Sequence, residues 1–105
     1  MLRTAPYSRR MSEQITHDAE HQRYVIADGD ERLGMLSYST REDAVSLDST
    51  VVLPQYQGRG IAGRLVKHVL DDLRDTTTKR VEPNCSYVVD YLQRHPEYAD
   101  LTTRT

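Results

Sequence analysis

The chain has 105 residues, of which 37% are hydrophobic and 29% charged, and its formal net charge is −2 at pH 7. This length allows one small domain with a single modest core. The slight negative charge argues against a general nucleic-acid binder, and no apolar run approaches the roughly 18 residues that span a bilayer. One cysteine cannot form an internal disulfide, which favours a cytoplasmic location.

The first dozen residues differ from the rest of the chain. The stretch MLRTAPYSRRMS is basic, shows no periodicity and has no apolar run of signal-peptide length. We predict a disordered or extraneous tail for residues 1–12, a folded domain for residues 13–101 and a short C-terminal tail for residues 102–105. A short mitochondrial leader is the alternative interpretation of the N-terminal arginines.

From residue 13 to residue 53 the pattern is that of β-strands. Segments with period-two alternation or short apolar runs are separated by polar turns, and Asp28-Gly29 is a hairpin signal. The predicted strands lie around Ile15 and at residues 24–27, 33–38 and 43–53. Turns this short cannot connect parallel neighbours, so we expect an antiparallel meander.

After Pro54 the apolar period changes to that of a helix. Apolar residues recur every four positions from Ile61 to Leu73, with charged residues on the opposite face. This pattern predicts an amphipathic helix over roughly residues 60–75. A short candidate strand follows at residues 79–82 and ends at a proline.

A second helix is predicted between Pro83 and Pro96, with an apolar face formed by Tyr87, Val88, Tyr91 and Leu92. Pro96 then allows one more helical turn. The order β-β-β-β-α-β-α indicates an α+β fold, with a mixed, largely antiparallel sheet of about five strands and two main helices. The strands that flank the first helix should run parallel, with a right-handed crossover.

The stretch that joins the fourth strand to the first helix, Gln57-Gly58-Arg59-Gly60-Ile61-Ala62-Gly63, has two interpretations. As Gly-x-Gly-x-x-Gly it spells a dinucleotide-binding fingerprint, and Glu82 lies about twenty residues on, where a ribose-binding acid is expected. However, an antiparallel meander precedes the glycines and only one strand follows them, so a second mononucleotide-binding half has no strands to form it. We therefore do not expect NADH to bind.

The second interpretation is Gln-x-x-Gly-x-Ala at a helix start, which spells an acyl-CoA pyrophosphate loop. Glycines let backbone N–H groups approach a pyrophosphate, and the N-terminal end of a helix favours negative charge. Arg59, Arg64 and Lys67 lie close by in the sequence and would meet the remaining phosphate of CoA. The alternative is a glycine-rich turn that only packs the helix on the sheet.

Two separate segments carry a resemblance to a known family. Val52-Leu53-Pro54 with the glycine stretch resembles the strand-and-loop motif of the GNAT (GCN5-related N-acetyltransferase) superfamily, and Pro83-Asn84-Cys85 with His95-Pro96-Glu97-Tyr98 resembles the C-terminal signature of its short, single-domain members. The resemblance covers roughly residues 13–101 and implies a GNAT-like fold with acetyl-CoA as co-substrate. The residues that it implies at the cofactor are Val52, Leu53, Gln57, Gly58, Arg59, Gly60, Ile61, Ala62, Gly63, Arg64 and Asn84.

Two features depart from that family. Full-length GNAT enzymes carry a helical segment after the first strand that helps to form the acceptor side, whereas here the first strand leads almost directly to the second. In addition, Asp48-Ser49-Thr50 lies where the short family tends to show His before Thr. The sequence therefore does not identify a general base.

Acetyl transfer also needs an oxyanion donor and an acid for the leaving thiolate. The resemblance implies that a backbone N–H near Leu53 polarises the thioester carbonyl. Asn84 and Tyr91 are seven residues apart, which predicts that they share one face of a helix. In many GNAT enzymes an Asn and a Tyr at this spacing touch the cofactor and its sulfur. Tyr91 is therefore the candidate general acid, and a purely packing aromatic is the alternative.

Cys85 is the second candidate catalytic residue. At the start of a helix the pKa of a thiol falls and its reactivity rises, so Cys85 would accept an acetyl group or form a mixed disulfide with CoA. The alternative is a small buried apolar residue. The histidines form no metal-ligand pattern, so no metal is predicted; they are His17, His21, His68 and His95.

These observations predict an acetyl-CoA-dependent N-acetyltransferase that transfers acetyl to a small amine or a protein amino group by direct attack on the thioester. The alternative is a CoA-binding module without turnover, which acts as a sensor or a partner subunit. Neither nucleic acid nor membrane is an expected partner. The amine acceptor and the oligomeric state stay open, with a homodimer as one alternative.

Overall fold

A computed structural model describes residues 12–104. The predicted N-terminal tail therefore lies outside the described residues, except for Ser12. The strands are β1 (Glu13–Asp18), β2 (Arg23–Asp28), β3 (Glu31–Thr40), β4 (Ala44–Val52) and β5 (Arg80–Pro83). The α-helices are α1 (Ile61–Thr76) and α2 (Ser86–Arg94), and 3-10 helices cover Ala19–His21, Pro54–Tyr56 and Pro96–Thr103.

The five strands form one sheet in the order β1-β2-β3-β4-β5. The first four run antiparallel to their neighbours, and β4 and β5 pair in parallel. The predicted mixed, largely antiparallel sheet of an α+β fold is thereby confirmed. The dinucleotide-binding interpretation is wrong, because that fold needs a mostly parallel sheet and the described strands form only one parallel pair, β4 with β5.

The pairing of β3 with β4 is interrupted by a β-bulge at Asp48. Tyr38 pairs with Leu47 and Ser37 pairs with Ser49, so Asp48 has no pairing partner of its own on β3. An extra residue on one strand bends that strand and changes the direction of its side chains. The bulge lies next to the end of the β4–β5 pairing, which stops at Leu47.

The apolar face of α1 packs against one face of the sheet. On the helix, Leu65, Val66, Val69 and Leu70 are fully buried. On the sheet, the residues that they cover include Tyr24, Ile26, Leu36 and Leu47, each at most 1% exposed. Each such side chain contributes about 1.5–3 kcal/mol by leaving water, so this layer is the core of the domain.

The other helical segments pack on the same face of the sheet as α1. The α2 helix begins beside Cys85, whose sulfur contacts the side chain of Thr50, and Tyr98 in the last 3-10 helix donates a hydrogen bond to Asp71 of α1. That last helix runs to Thr103, past the predicted domain boundary at residue 101. The opposite face of the sheet is therefore free of helices in the part of the chain that the structure describes.

Between β1 and β2 the chain makes only one 3-10 turn, Ala19–His21. No helix among residues 12–104 is long and apolar enough to cross a membrane.

Candidate active site

The site begins where β4 and β5 diverge. The Asn84 N–H donates to the Leu47 carbonyl at 3.0 Å, just beyond the last paired residue of β5. From Asp48 to Val52, β4 continues without a described strand on that side. This stretch of β4 therefore presents an open backbone edge to the gap between the strands.

The Leu53 N–H does not face this gap, because it donates to the Leu33 carbonyl of β3 at 3.0 Å. Backbone groups alternate sides along a strand, so those of Val52 and Thr50 face the gap. The Val52 carbonyl indeed accepts a hydrogen bond from the Gln57 side chain at 3.1 Å. The N–H that the resemblance places near Leu53 is accordingly that of Val52 or Thr50, and not that of Leu53 itself.

A cavity of about 340 Å³ lies between this edge and the start of α1. Its lining residues are Thr50, Val52, Tyr56, Gln57, Gly58, Gly60, Ile61, Ala62 and Tyr87. Six of the eleven predicted cofactor residues are among them. The other five are not among the lining residues: Leu53, Arg59, Gly63, Arg64 and Asn84.

Two glycines of the loop need the backbone freedom that only glycine provides. Gly58 has φ 85° and Gly60 has φ 76°, both in the left-handed region. Gly60 caps α1 without a side chain, so the first N–H groups of this 16-residue helix have no helical acceptor and point toward the loop. The arrangement can hold a phosphate group.

The three basic residues near the loop have different surroundings. Arg64 donates to both oxygens of the Glu13 carboxylate at 3.0 and 2.9 Å and to the Arg59 carbonyl at 3.0 Å. Lys67 pairs with Asp71 at 2.8 Å. Arg59 lies over the ring of Tyr56, at 5.5 Å, and has no carboxylate partner among residues 12–104. Arg64 thus links the glycine loop to β1. Arg59 is the basic residue of the three whose guanidinium is available to bind a phosphate.

The prediction that Asn84 and Tyr91 share a helical face is wrong. The α2 helix begins at Ser86, so Asn84 lies before it and donates from its side chain to the Ser46 hydroxyl at 2.7 Å. Tyr91 stacks on His95 with ring centroids 4.0 Å apart, and it does not line the cavity. Partial burial and the nearby Tyr98 raise the pKa of Tyr91.

Tyr87 of α2 and Tyr56 before the glycine loop both line the cavity, and sequence reasoning assigned Tyr87 only to the packed face. It is 39% exposed, and its hydroxyl lies 3.8 Å from the position that a Cβ on Gly63 would occupy. A helix start at Ser86 places Tyr87 in the first turn, beside the start of α1. The Asn84-Cys85-Ser86 segment was the local signal for that start, because Asn, Ser and small residues commonly precede helices.

Cys85 is the N-cap residue of α2, half-buried, with its sulfur 3.4 Å from the Thr50 hydroxyl oxygen. Partial burial alone raises the pKa of this thiol. Hydrogen bonds from the Thr50 hydroxyl and from the backbone N–H groups of Val88, Tyr87 and Thr50 outweigh that effect, so the pKa of Cys85 is lowered. The structure therefore places a partly exposed, acidified thiol at the open edge of β4.

The histidines do not line this cavity. His17 bonds to the Tyr38 hydroxyl, His21 pairs with Asp18, and His68 lies edge-on to Tyr24. In the described part of the chain, no three His, Cys, Asp or Glu side chains come together as metal ligands do.

A mixed sheet whose diverging strand leads through a glycine loop into a helix is the arrangement of the GNAT fold. A family model described as GCN5-related N-acetyl-transferase matches residues 23–101. The chain belongs to this family.

Solved structures with similar folds include three acetyltransferases or synthases. N-acetylglutamate synthase from Neisseria gonorrhoeae, complexed with coenzyme A and N-acetyl-glutamate, is 22% identical over 60% of this chain and 16% of its own, with a TM-score of 0.51. A GNAT family acetyltransferase from Streptococcus pneumoniae TIGR4 is 27% identical over 60% and 48%, with a TM-score of 0.49. The ribosomal-protein-S18-alanine N-acetyltransferase from Escherichia coli is 20% identical over 69% and 56%, with a TM-score of 0.47.

The chain thus spans between about a sixth and about half of the length of these proteins. A search of curated proteins gives no match.

Proposed function

We propose that this protein is an acetyl-CoA-dependent N-acetyltransferase that acetylates a primary amine by direct attack. The observation that carries the proposal is the cavity that joins the glycine loop at the start of α1 to the open edge of β4. Such a cavity brings an anion site and free backbone N–H groups together, as a thioester with a pyrophosphate tail requires.

The residues present fit the co-substrate. Backbone N–H groups at Gly60 to Gly63 and the side chain of Arg59 would hold the phosphates, because neither the helix start nor Arg59 has a described anionic partner. The Thr50 carbonyl faces the gap and would accept a hydrogen bond from an amide of the pantetheine arm, whereas the Thr50 N–H is directed at the Cys85 sulfur. The binding of coenzyme A by the N. gonorrhoeae synthase, which shares the fold, supports this assignment.

Bound acetyl-CoA supplies the activated acetyl group: the neutral amine nitrogen bonds to the carbonyl carbon and loses a proton to water, the C–S bond breaks, and the sulfur leaves as a thiolate. The Val52 N–H faces the side where the carbonyl oxygen would lie and can stabilise its developing charge. We assign protonation of the thiolate to Tyr87: it lines the cavity, as Tyr91 does not, and it lies in the first turn of α2 beside the gap, whereas the other lining phenol, Tyr56, lies under Arg59 at the glycine loop. The alternative to direct attack is a two-step transfer: the Cys85 thiolate bonds to the acetyl carbon, CoA leaves as the thiolate, and the amine then displaces Cys85 from its acetyl thioester.

The test is calorimetry with acetyl-CoA and CoA, followed by an amine panel in which the release of free thiol is monitored. Binding of acetyl-CoA together with amine-dependent thiol release supports the enzyme. Binding without transfer to any amine supports the alternative, a CoA-binding module, which the single 3-10 turn between β1 and β2 favours because it adds no acceptor-side helices.

A further inference from the structure

An apolar row crosses the face of the sheet that is opposite to the helices. Val25 pairs with Met35, and Met35 pairs with Val51, so their side chains lie side by side on three neighbouring strands. Val51 is 51% exposed, and Val25 and Met35 are partly exposed. Two inter-strand spacings give this row a length of about 10 Å.

A carboxylate lies beside the row, at the bulge of β4. Asp48 accepts hydrogen bonds from the hydroxyls of Ser46 at 2.5 Å and Ser39 at 2.9 Å. Ser46 is only 5% exposed and accepts in turn from the Asn84 side chain. Asp48 has no cationic partner among the residues that the structure describes. Its carboxylate is therefore held in place by neutral donors, and its charge is not neutralised.

Asp48 is also close to the proposed reaction centre. It follows Leu47, the last residue of β4 that pairs with β5, and the gap between the strands opens at that point. The backbone of Thr50 and Val52, which faces the gap, begins two residues later. A cation held by Asp48 thus lies at the mouth of the gap, on the side opposite to the glycine loop and the helices.

We propose that the helix-free face of the sheet is the acceptor surface, and that the acceptor is a primary monoamine with an apolar body. The ammonium group binds Asp48, and the apolar body covers the row formed by Val25, Met35 and Val51. The charge of Asp48 matches an ammonium group, and the other carboxylate near the row on this face, Asp18 of β1, is already paired with Arg23 at 3.1 Å. This inference rests on the proposed function, since it names the substrate class of the same site.

The test compares hexylamine with 1,6-diaminohexane, which has the same carbon chain and a second cation at its far end. The wild-type protein should prefer hexylamine by about tenfold or more in kcat/KM, because the diamine places a charge on apolar side chains. Asp48→Asn should lower kcat/KM for hexylamine by about tenfold, mainly through KM. Val51→Gln should reduce the preference between the two amines.

Matched controls are Asp75→Asn, an exposed carboxylate at the end of α1, and Val89→Gln, which is 38% exposed on α2. Both controls should behave like the wild type, and melting curves of each variant check that it folds. A preference for the diamine, or unchanged constants in both Asp48→Asn and Val51→Gln, would overturn the acceptor surface.

Calorimetry of hexylamine with the CoA-bound protein separates this inference from the proposed function. Binding that weakens about tenfold in Asp48→Asn supports the surface even if no amine is acetylated, in which case the proposed function alone fails. Acetylation with no dependence on Asp48 or Val51 has the opposite meaning: the enzyme is supported and the acceptor surface is rejected.

Discussion

The sulfur of Cys85 lies 3.4 Å from the side-chain oxygen of Thr50, across the gap where β4 and β5 diverge. This contact joins the first residue before α2 to the free edge of β4. Thr50 also directs its backbone N–H at the same sulfur and lines the cavity, so Cys85 lies directly behind one of the residues that form the wall of the candidate site.

The first prediction concerns the acidity of this thiol. Because the pKa of Cys85 is lowered from an ordinary value of 9.0, its alkylation rate should reach half of its maximum at a pH below 9.0. Thr50→Val removes the hydroxyl that stabilises the thiolate, so the midpoint should move to higher pH and alkylation at pH 7 should slow.

Alkylation of Cys85 by iodoacetamide is followed by mass spectrometry. The control is Thr16→Val, which makes the same substitution on the opposite face of the sheet from Thr50 and should leave the pH profile unchanged. Acetyl-CoA should protect Cys85 in the wild type. An identical pH profile in Thr50→Val would show that the hydroxyl does not act on the sulfur.

The second prediction concerns the glycine loop. Gly60→Asp should abolish acetyl-CoA binding, because it places a carboxylate at the phosphate site and a Cβ only 3.3 Å from Arg64. Gly29→Asp is a matched control, since Gly29 also has a positive φ, of 60°, but lies in a distant hairpin turn. Both substitutions should cost about 1–2 kcal/mol of stability.

Calorimetry measures the binding of acetyl-CoA to both variants and to the wild type, and NADH is the ligand that is expected not to bind. Retention of acetyl-CoA affinity in Gly60→Asp, or tight binding of NADH to the wild type, would contradict the loop assignment.

The third prediction separates the two tyrosines of α2. If Tyr87 protonates the leaving thiolate, Tyr87→Phe should lower kcat by about a hundredfold or more with little change in acetyl-CoA affinity. Tyr91→Phe should have little effect, because Tyr91 stacks on His95 and does not line the cavity. Steady-state kinetics with the best amine of the panel decide between them.

A large loss in Tyr91→Phe alone would restore the assignment made from the sequence. Full activity in both variants would leave water or Cys85 as the acid.

The fourth prediction concerns the pH dependence of stability. The Tyr98 hydroxyl donates to Asp71 at 2.6 Å, and hydrogen bonds from Lys67 and then Tyr98 lower the pKa of Asp71 below its usual 3.8. The lowered pKa means that this stabilisation is present above about pH 4 and is lost as the pH falls through the folded-state pKa.

Tyr98→Phe should therefore reduce the free energy of unfolding by about 0.5–1.5 kcal/mol at pH 7, and the difference from the wild type should shrink below pH 3.8. Urea titrations at several pH values measure it, with Tyr87→Phe as the control. If the difference in unfolding free energy between Tyr98→Phe and the wild type stays constant down to low pH, the charge of Asp71 does not contribute to that difference.

Much of the fold was predictable because its signals are local. The period of the apolar residues distinguishes strands from helices within a few positions, and short turns such as Asp28-Gly29 require antiparallel neighbours. The left-handed conformations of Gly58 and Gly60 were predictable for the same reason, since a glycine before a helix adopts this conformation without a distant partner. The predicted first helix, 60–75, accordingly differs by one residue at each end from Ile61–Thr76.

The candidate site depended on contacts between distant residues. Leu53 and Leu33 share a hydrogen bond that turns the Leu53 N–H away from the gap, and Arg64 is held by Glu13, from the other end of the chain. Neither pairing is visible in the sequence, because strand register and side-chain partners follow from how the whole sheet packs.

By itself, the sequence determined the types and order of the elements, the glycine loop and the family resemblance. Only the tertiary structure decided that Tyr87, and not Tyr91, lines the cavity. Tyr87 and Tyr91 lie one turn apart on the same side of α2, so the helical period by itself does not distinguish them. The difference comes from where the start of α2 lies relative to the sheet, and Asn84, just before that start, is bound through its N–H to Leu47, 37 residues earlier in the chain. Local signals act over a few residues, whereas this placement depends on contacts between distant residues.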